Sequence, residues 1–293
     1  PNHPLNEVFG FPYWDHSPAA QRHRAHRLCP YNNRVPNCTK DKANDPLGVC
    51  SIGEGEGNIA IVCPIRFRQD WVIAEDAAAF FFSPGTRWTS LSEVRLTDRQ
   101  GGSAGNIDIV LASYDERGHV TDFGSLEVQA VYISGNIRRP FEYYMEDPAG
   151  RQDMDWAARS RHYPRPDYLS SSRKRLVPQL IYKGSILKSW EKKQAVAIHT
   201  SFYRTLPDLT EVEADQADIA WLVYDLVLDE GQSRYHLQLH RTVYTLFRPA
   251  LDQITTPEPG PVGEFIDHLQ EKLDRMLEDE ENAPDAPTLD ELL

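Results

Sequence analysis

Two acids and an amide interrupt segments that are otherwise built from Ile, Val and Leu. Asp108 lies in Asn106-Ile107-Asp108-Ile109-Val110-Leu111, and nineteen positions later Glu127 lies in Ser125-Leu126-Glu127-Val128-Gln129. Alternation over 106–113 and 123–133 predicts two strands, joined by a polar turn at 114–119 that contains Gly118. A hairpin of that kind brings the two carboxylates to one end, and Gln129 shares a face with Glu127. An ionised side chain among apolar neighbours costs free energy unless it is paired or bound. Two hard oxygen donors with room for water suit Mg²⁺, which needs only one or two carboxylates. The plainer alternative, for either acid alone, is the outward face of an amphipathic strand.

The four cysteines, Cys29, Cys38, Cys50 and Cys63, share one loop-rich segment with 8, 11 and 12 residues between them. Four thiolates could hold a tetrahedral Fe or Zn ion; two disulfides and buried free thiols are the alternatives. No Cys-x-x-Cys pair occurs, so spacing does not separate iron from zinc. Pro1-Asn2-His3-Pro4 shows neither a basic nor an apolar leader, so a reducing cytoplasm is expected, which favours the metal over disulfides. The metal would then order the N-terminal arm, because turn-rich sequence cannot bury enough apolar area by itself.

The formal net charge is −13, but it is unevenly spread. Residues 264–293 hold 11 acids and 2 bases, whereas 138–204 hold 14 bases and 7 acids. One positive segment on an otherwise negative chain is the footprint of a docking face for a polyanion. Arg173, Lys174 and Arg175, together with Lys183 and Arg161, are the candidates for contacts to DNA; Arg can fork onto guanine, and Lys and Arg bind phosphates. Salt bridges with neighbouring acids are the competing role for each. No apolar run approaches the eighteen or so residues of a membrane span.

These residues need elements to position them. The pattern predicts an irregular arm over 1–28, a helical region over 71–96, and the hairpin. It continues with a helix over 176–193 that must accommodate Pro178, a short apolar strand at 194–199, and strands at 219–228 and 235–247. An amphipathic helix follows Gly263, carrying Phe265, Ile266, Leu269, Leu273, Met276 and Leu277 on one side. The sum is an α/β fold, a mixed sheet with helices on its faces.

Asp followed by Glu-x-Gln on the next strand matches the PD-(D/E)xK nucleases, with Gln where Lys is usual. The cysteine segment, read as Cys29-Pro30-Tyr31, Cys38, Gly48-Val49-Cys50-Ser51 and Cys63-Pro64-Ile65-Arg66, together with Glu127-x-Gln129, resembles the NotI/EagI-like type II restriction endonucleases over roughly residues 29–200. The resemblance implies a homodimer that cuts both strands of a GC-rich palindrome with a CGGCCG core. It implies Mg²⁺ on Asp108 and Glu127 with help from the Val128 carbonyl, an upstream acid at Asp98, a role for Gln129 in orienting water, and Fe (or Zn) on the cysteines. The expected organisation is an arm and cysteine segment over 1–70, a nuclease domain over 71–278 and an acidic tail over 279–293. A nuclease of repair or defence without sequence preference, and a DNA-binding regulator without catalysis, are the rival readings.

Overall fold

The apolar run Ala195-Val196-Ala197-Ile198 offers no polar face to water, so its strand must be covered on both sides. In the computed structural model, which describes residues 3–42, 44–55, 58–159, 163–257 and 259–278, that strand is at the centre. It belongs to a six-stranded mixed sheet in the order Arg234–Thr245, Ile219–Asp229, Gln194–His199, Val120–Gln129, Ser103–Tyr114, Trp88–Thr97. Gln194–His199 runs parallel to both neighbours, and the remaining pairs are antiparallel. Val196 and Ile198 join a core with Trp221, Val223, Leu176, Leu180 and Phe247. Ala195 and Ala197 join a second core with Ile109, Leu111, Leu126 and the Ala77 and Phe80 side chains of the helix Val72–Phe81. Helices thus flank a large mixed sheet, as the alternation of elements implied.

Two expected elements differ. The helical region over 71–96 ends at Phe81, and Trp88–Thr97 is instead the edge strand beside Ser103–Tyr114. Pro84-Gly85 stops the helix, and the Thr, Ser and Val that follow fit a pleated half-exposed surface better than a helix. The arm over 1–28 is not irregular: Leu5–Val8 and Phe11–Pro12 are strands, and Pro18–His26 is a helix whose start is capped by the Ser17 hydroxyl. Leu5–Val8 pairs with Val49–Gly55, which pairs with Asn58–Ile61. Leu5, Val8 and Phe9 are buried in the same core as Val196 and Trp221. The segment therefore draws its apolar burial from the main core rather than from a core of its own.

Pro18 opens a helix, but Pro178 lies inside one. Helical backbone runs from Tyr168–Ser171 through Ser172–Leu176, Val177–Gln179 and Leu180–Gly184 to Ser185–Ser189. The two segments flanking Val177–Gln179 are wound in the wider π form, which accommodates a ring that lacks an N–H and crowds the preceding turn. Gly184 follows at a close approach, since a Cβ there would lie 2.6 Å from the Phe247 ring.

Pro1–Thr255 form one compact unit and Thr256–Leu293 a second. In the second, Val262–Glu278 is the expected amphipathic helix, with Phe265, Ile266, Leu269, Leu273, Met276 and Leu277 exposed. The acidic tail expected over 279–293 lies outside the described residues. No described helix is long and apolar enough to cross a membrane.

A buried ion pair joins the N-terminal strands to the large sheet. Arg66 Nε donates to both Glu7 oxygens at 3.0 Å, and neither side chain is exposed. The same guanidinium donates to Gln69 Oε1 at 2.7 Å and to the Tyr235 carbonyl at 2.8 Å, while Ser51 Oγ donates to Glu7. Removing one partner strands the other charge away from water. Arg66→Met should therefore lower the unfolding free energy by about 3–5 kcal/mol in urea titrations, and adding Glu7→Leu should recover most of the loss. An Arg66→Met protein as stable as wild type would contradict that assignment.

Candidate active site

Strand register sets the acids opposite one another. Ser92 pairs with Ile109 and Val94 with Ile107, so Glu93 faces Asp108 across the edge pair. Ile109 pairs with Leu126, so one step along Asp108 faces Glu127. Directly opposed residues share a face of an antiparallel pair, so Glu93, Asp108 and Glu127 form one row across three strands. Asp108 Oδ2 accepts from the Val128 N–H at 2.9 Å, which pins one carboxylate oxygen to the neighbouring strand.

Glu127 is only 2% exposed. Its Oε2 accepts from Lys183 Nζ at 2.6 Å, and its Oε1 has no hydrogen-bond partner. Burial, and then the charge of Asp108, push its carboxyl up to about 7; the Lys183 ammonium opposes the rise. Lys183, expected at the DNA surface, is instead buried, and also donates to the Asn106 carbonyl at 2.8 Å. Gln129 is equally buried and turns its Nε2 onto the Ala130 carbonyl at 3.0 Å. The cation beside Glu127 thus comes from the π-wound helical segment rather than from the strand position occupied by Gln129.

Asp108 opens onto a cleft of about 150 Å³ that is also lined by Glu93, Val128, Arg68 and Arg175. Glu93 is a non-glycine residue at φ 58°, a left-handed conformation held within a strand whose pairing keeps its register on either side. Sequence reasoning missed Glu93, which falls in the segment expected to be helical; the short alternation Glu93-Val94-Arg95-Leu96-Thr97 is the weak strand signal there. Arg68 was also missed, since nothing local marks it.

Asp98 is not brought to this row. It sits in the turn after Trp88–Thr97, where its Oδ1 accepts from the backbone N–H groups of Gln100 and Gly102 at 2.9 and 2.7 Å. Asp108 is five steps along the strand from Ser103, about 17 Å at strand rise. Arg173 and Lys174 are exposed on the segment that carries Arg175, and none of the three forms an ion pair among the described residues. Arg161 lies outside the described residues.

The four cysteines are gathered by two strand-like necks. Cys29 donates its N–H to the Pro36 carbonyl and Cys38 to the Arg27 carbonyl, while the Val62 N–H reaches the Cys50 carbonyl next to Cys63. All four thiols are free, and each lies near enough to the others that a charge on one raises the cost of a charge on the next. Burial is the larger reason that Cys29, Cys38 and Cys50 are pushed up. No group of three or more His, Cys, Asp or Glu side chains is placed to hold a metal among the described residues. Cys29 and Cys38 pack as small apolar side chains against the core.

Mg²⁺ asks less of the protein. Two adjacent carboxylates suffice, with water and phosphate supplying the rest. The buried, unpartnered Glu127 Oε1 beside Asp108 fits that requirement.

The family described as restriction endonuclease NotI matches residues 14–237. No curated protein matches the chain.

The raised Glu127 carboxyl gives the metal-free protein a pH signature. The folded chain holds this proton more tightly than the unfolded chain, whose glutamates titrate near 4.5. The contribution to stability is complete below that value and is lost as pH rises through about 7. Denaturation in EDTA should show wild type losing on the order of 2–3 kcal/mol across that window relative to Glu127→Gln. Parallel pH profiles for the two proteins would remove the raised carboxyl.

Proposed function

The chain belongs to the restriction endonuclease NotI family, and from that premise we propose a type II enzyme that hydrolyses both strands of a GC-rich palindrome with a CGGCCG core. The observation that carries the reading is Asp108 facing Glu127 on adjacent strands, with the bare Glu127 oxygen and an open cleft beside them. A homodimer acting in the bacterial cytoplasm would give one such site to each strand of a two-fold site.

Asp108 and Glu127 are the residues that would hold Mg²⁺, with the Val128 carbonyl as a third donor. When bound, the cation supplies Lewis acidity and lowers the pKa of a coordinated water. The Val128 N–H orients the Asp108 carboxylate before any ligand arrives. Lys183 holds Glu127 by one oxygen and leaves the other for the cation. Its ammonium also offsets the repulsion between the paired carboxylates, the service that a lysine at position 129 would otherwise perform. Glu93 brings a third carboxylate to the mouth of the cleft, in the role first assigned to Asp98. Gln129 is a neutral neighbour, able to orient water but not to compensate charge. Exposed Arg173 and Lys174 would bind the DNA backbone or guanine edges next to the cleft.

An Fe or Zn ion on Cys29, Cys38, Cys50 and Cys63 is part of the same proposal. The mutual proximity of all four thiols supports it, although they must close further to make a tetrahedral cage. No catalytic step passes through it.

Plasmid bearing CGGCCG sites, incubated with the protein and Mg²⁺, should yield discrete fragments. A smear would indicate a nuclease without sequence preference, and binding without cutting would indicate a regulator. Asp108→Asn keeps the shape but removes one charge from the cation site. It should lower the cleavage rate by about 10²-fold or more while folding and metal-free DNA binding persist. Full-rate cutting by folded Asp108→Asn protein would remove Asp108 from the active site.

A further inference from the structure

Two arginines line the cleft onto which Asp108 and Glu93 open. Arg68 lies on the short 3₁₀ turn Pro64–Trp71, and Arg175 lies on the segment Ser172–Leu176; both line the cavity shared with Asp108 and Glu93. Among the described residues neither makes a salt bridge or a side-chain hydrogen bond. Arginine cannot discard its charge, so two partly buried guanidiniums without carboxylate partners are cations held ready for an anion.

Their placement is fixed by neighbours rather than left to flexible stems. Arg66, two residues before Arg68, is locked by Glu7, Gln69 and the Tyr235 carbonyl. Asp70 and Trp71, just after it, adopt left-handed φ of 49° and 55°, which bends the chain sharply away. The Arg175 guanidinium lies 5.4 Å from the centre of the Tyr132 ring.

We infer that Arg68 and Arg175 form the clamp that holds the scissile phosphodiester over Asp108. The inference rests on the nuclease reading above and deepens it. A phosphodiester cannot approach Glu93, Asp108 and Glu127 without compensating positive charge, and a metal ion beside Asp108 answers only part of that need. Guanidinium groups fork onto the two non-bridging oxygens and orient the phosphorus, which a point charge does less well. They also meet the charge that builds up on those oxygens during attack. Arg173 and Lys174, exposed to solvent on the same segment, lie outside the cleft lining and serve the rest of the duplex.

Single-turnover cleavage and metal-free DNA binding across several salt concentrations separate the roles. Arg68→Ala and Arg175→Ala should each slow cleavage by about 10²-fold or more. Each should weaken binding by less than about tenfold and reduce the slope of log affinity against log salt by about 0.9. Arg68→Lys should restore the slope but not the rate, because the charge returns without the fork. Thermal denaturation identifies any variant that has lost its fold, and the conservative lysine variant then carries the comparison. Wild-type cutting with both alanine variants equally fast would overturn the clamp alone. A wild-type chain that fails to cut DNA with Mg²⁺ would overturn the nuclease reading and the clamp with it.

Discussion

One guanidinium and one carboxylate, both sealed from water, decide how the N-terminal strands meet the six-stranded sheet. Desolvating Arg66 and Glu7 is expensive, and it is offset because each nitrogen of the guanidinium and both carboxylate oxygens have partners. That completeness leaves the turn between Cys63 and Trp71 a single direction to take. Arg68 projects from this turn into the cleft, so a contact to residue 7 sets one wall of a site whose acids lie at 93, 108 and 127. The Cys63 neck is the entrance to the same turn, which ties the packing of the cysteines to the placement of Arg66 and Arg68.

The hairpin that bears Asp108 and Glu127 could be read from alternation alone, because half-buried antiparallel strands imprint a period of two on the sequence. The strands at Gln194–His199 and Ile219–Asp229 were legible as apolar runs for the complementary reason, burial on both faces. Trp88–Thr97 was not, since an edge strand exposes most of one side and its Ser, Thr and Glu carry no strong periodic signal. The order of Leu5–Val8 depends on partners at 49–52 and 66, and no local pattern encodes a partner that distant. The mixed sheet with helices on its faces followed from the alternation of elements, whereas its sixth strand, and the register that faces Glu93 with Asp108, had to be seen.

The candidate site divides in the same way. Asp108 and Glu127 came from the hairpin and were visible, whereas Glu93 and Arg68 were not; Arg175 and Lys183 were visible as basic residues but not in the places they occupy. Lys183 reads as one more charge on a basic helix, yet the π-wound turn and the close packing of Gly184 against Phe247 carry its ammonium inward to Glu127. Gln129 shows the converse. Its position suggested chemistry, but its amide is occupied by the Ala130 carbonyl. Composition identified a basic region, and only packing could sort buried compensating charge from surface charge.

The hydrogen bond from Arg66 to the Tyr235 carbonyl spans 169 residues. Synthesis proceeds from the N-terminus, and domains fold as their last required segment emerges. Asp108, Glu127 and Lys183 therefore leave the ribosome well before the strand that completes the anchorage of Arg66. Until Tyr235 has emerged, a nascent chain carries the acids of the candidate site without the brace for the wall of its cleft. The order of assembly thus holds back the finished cleft until the strand Arg234–Thr245 has joined the sheet.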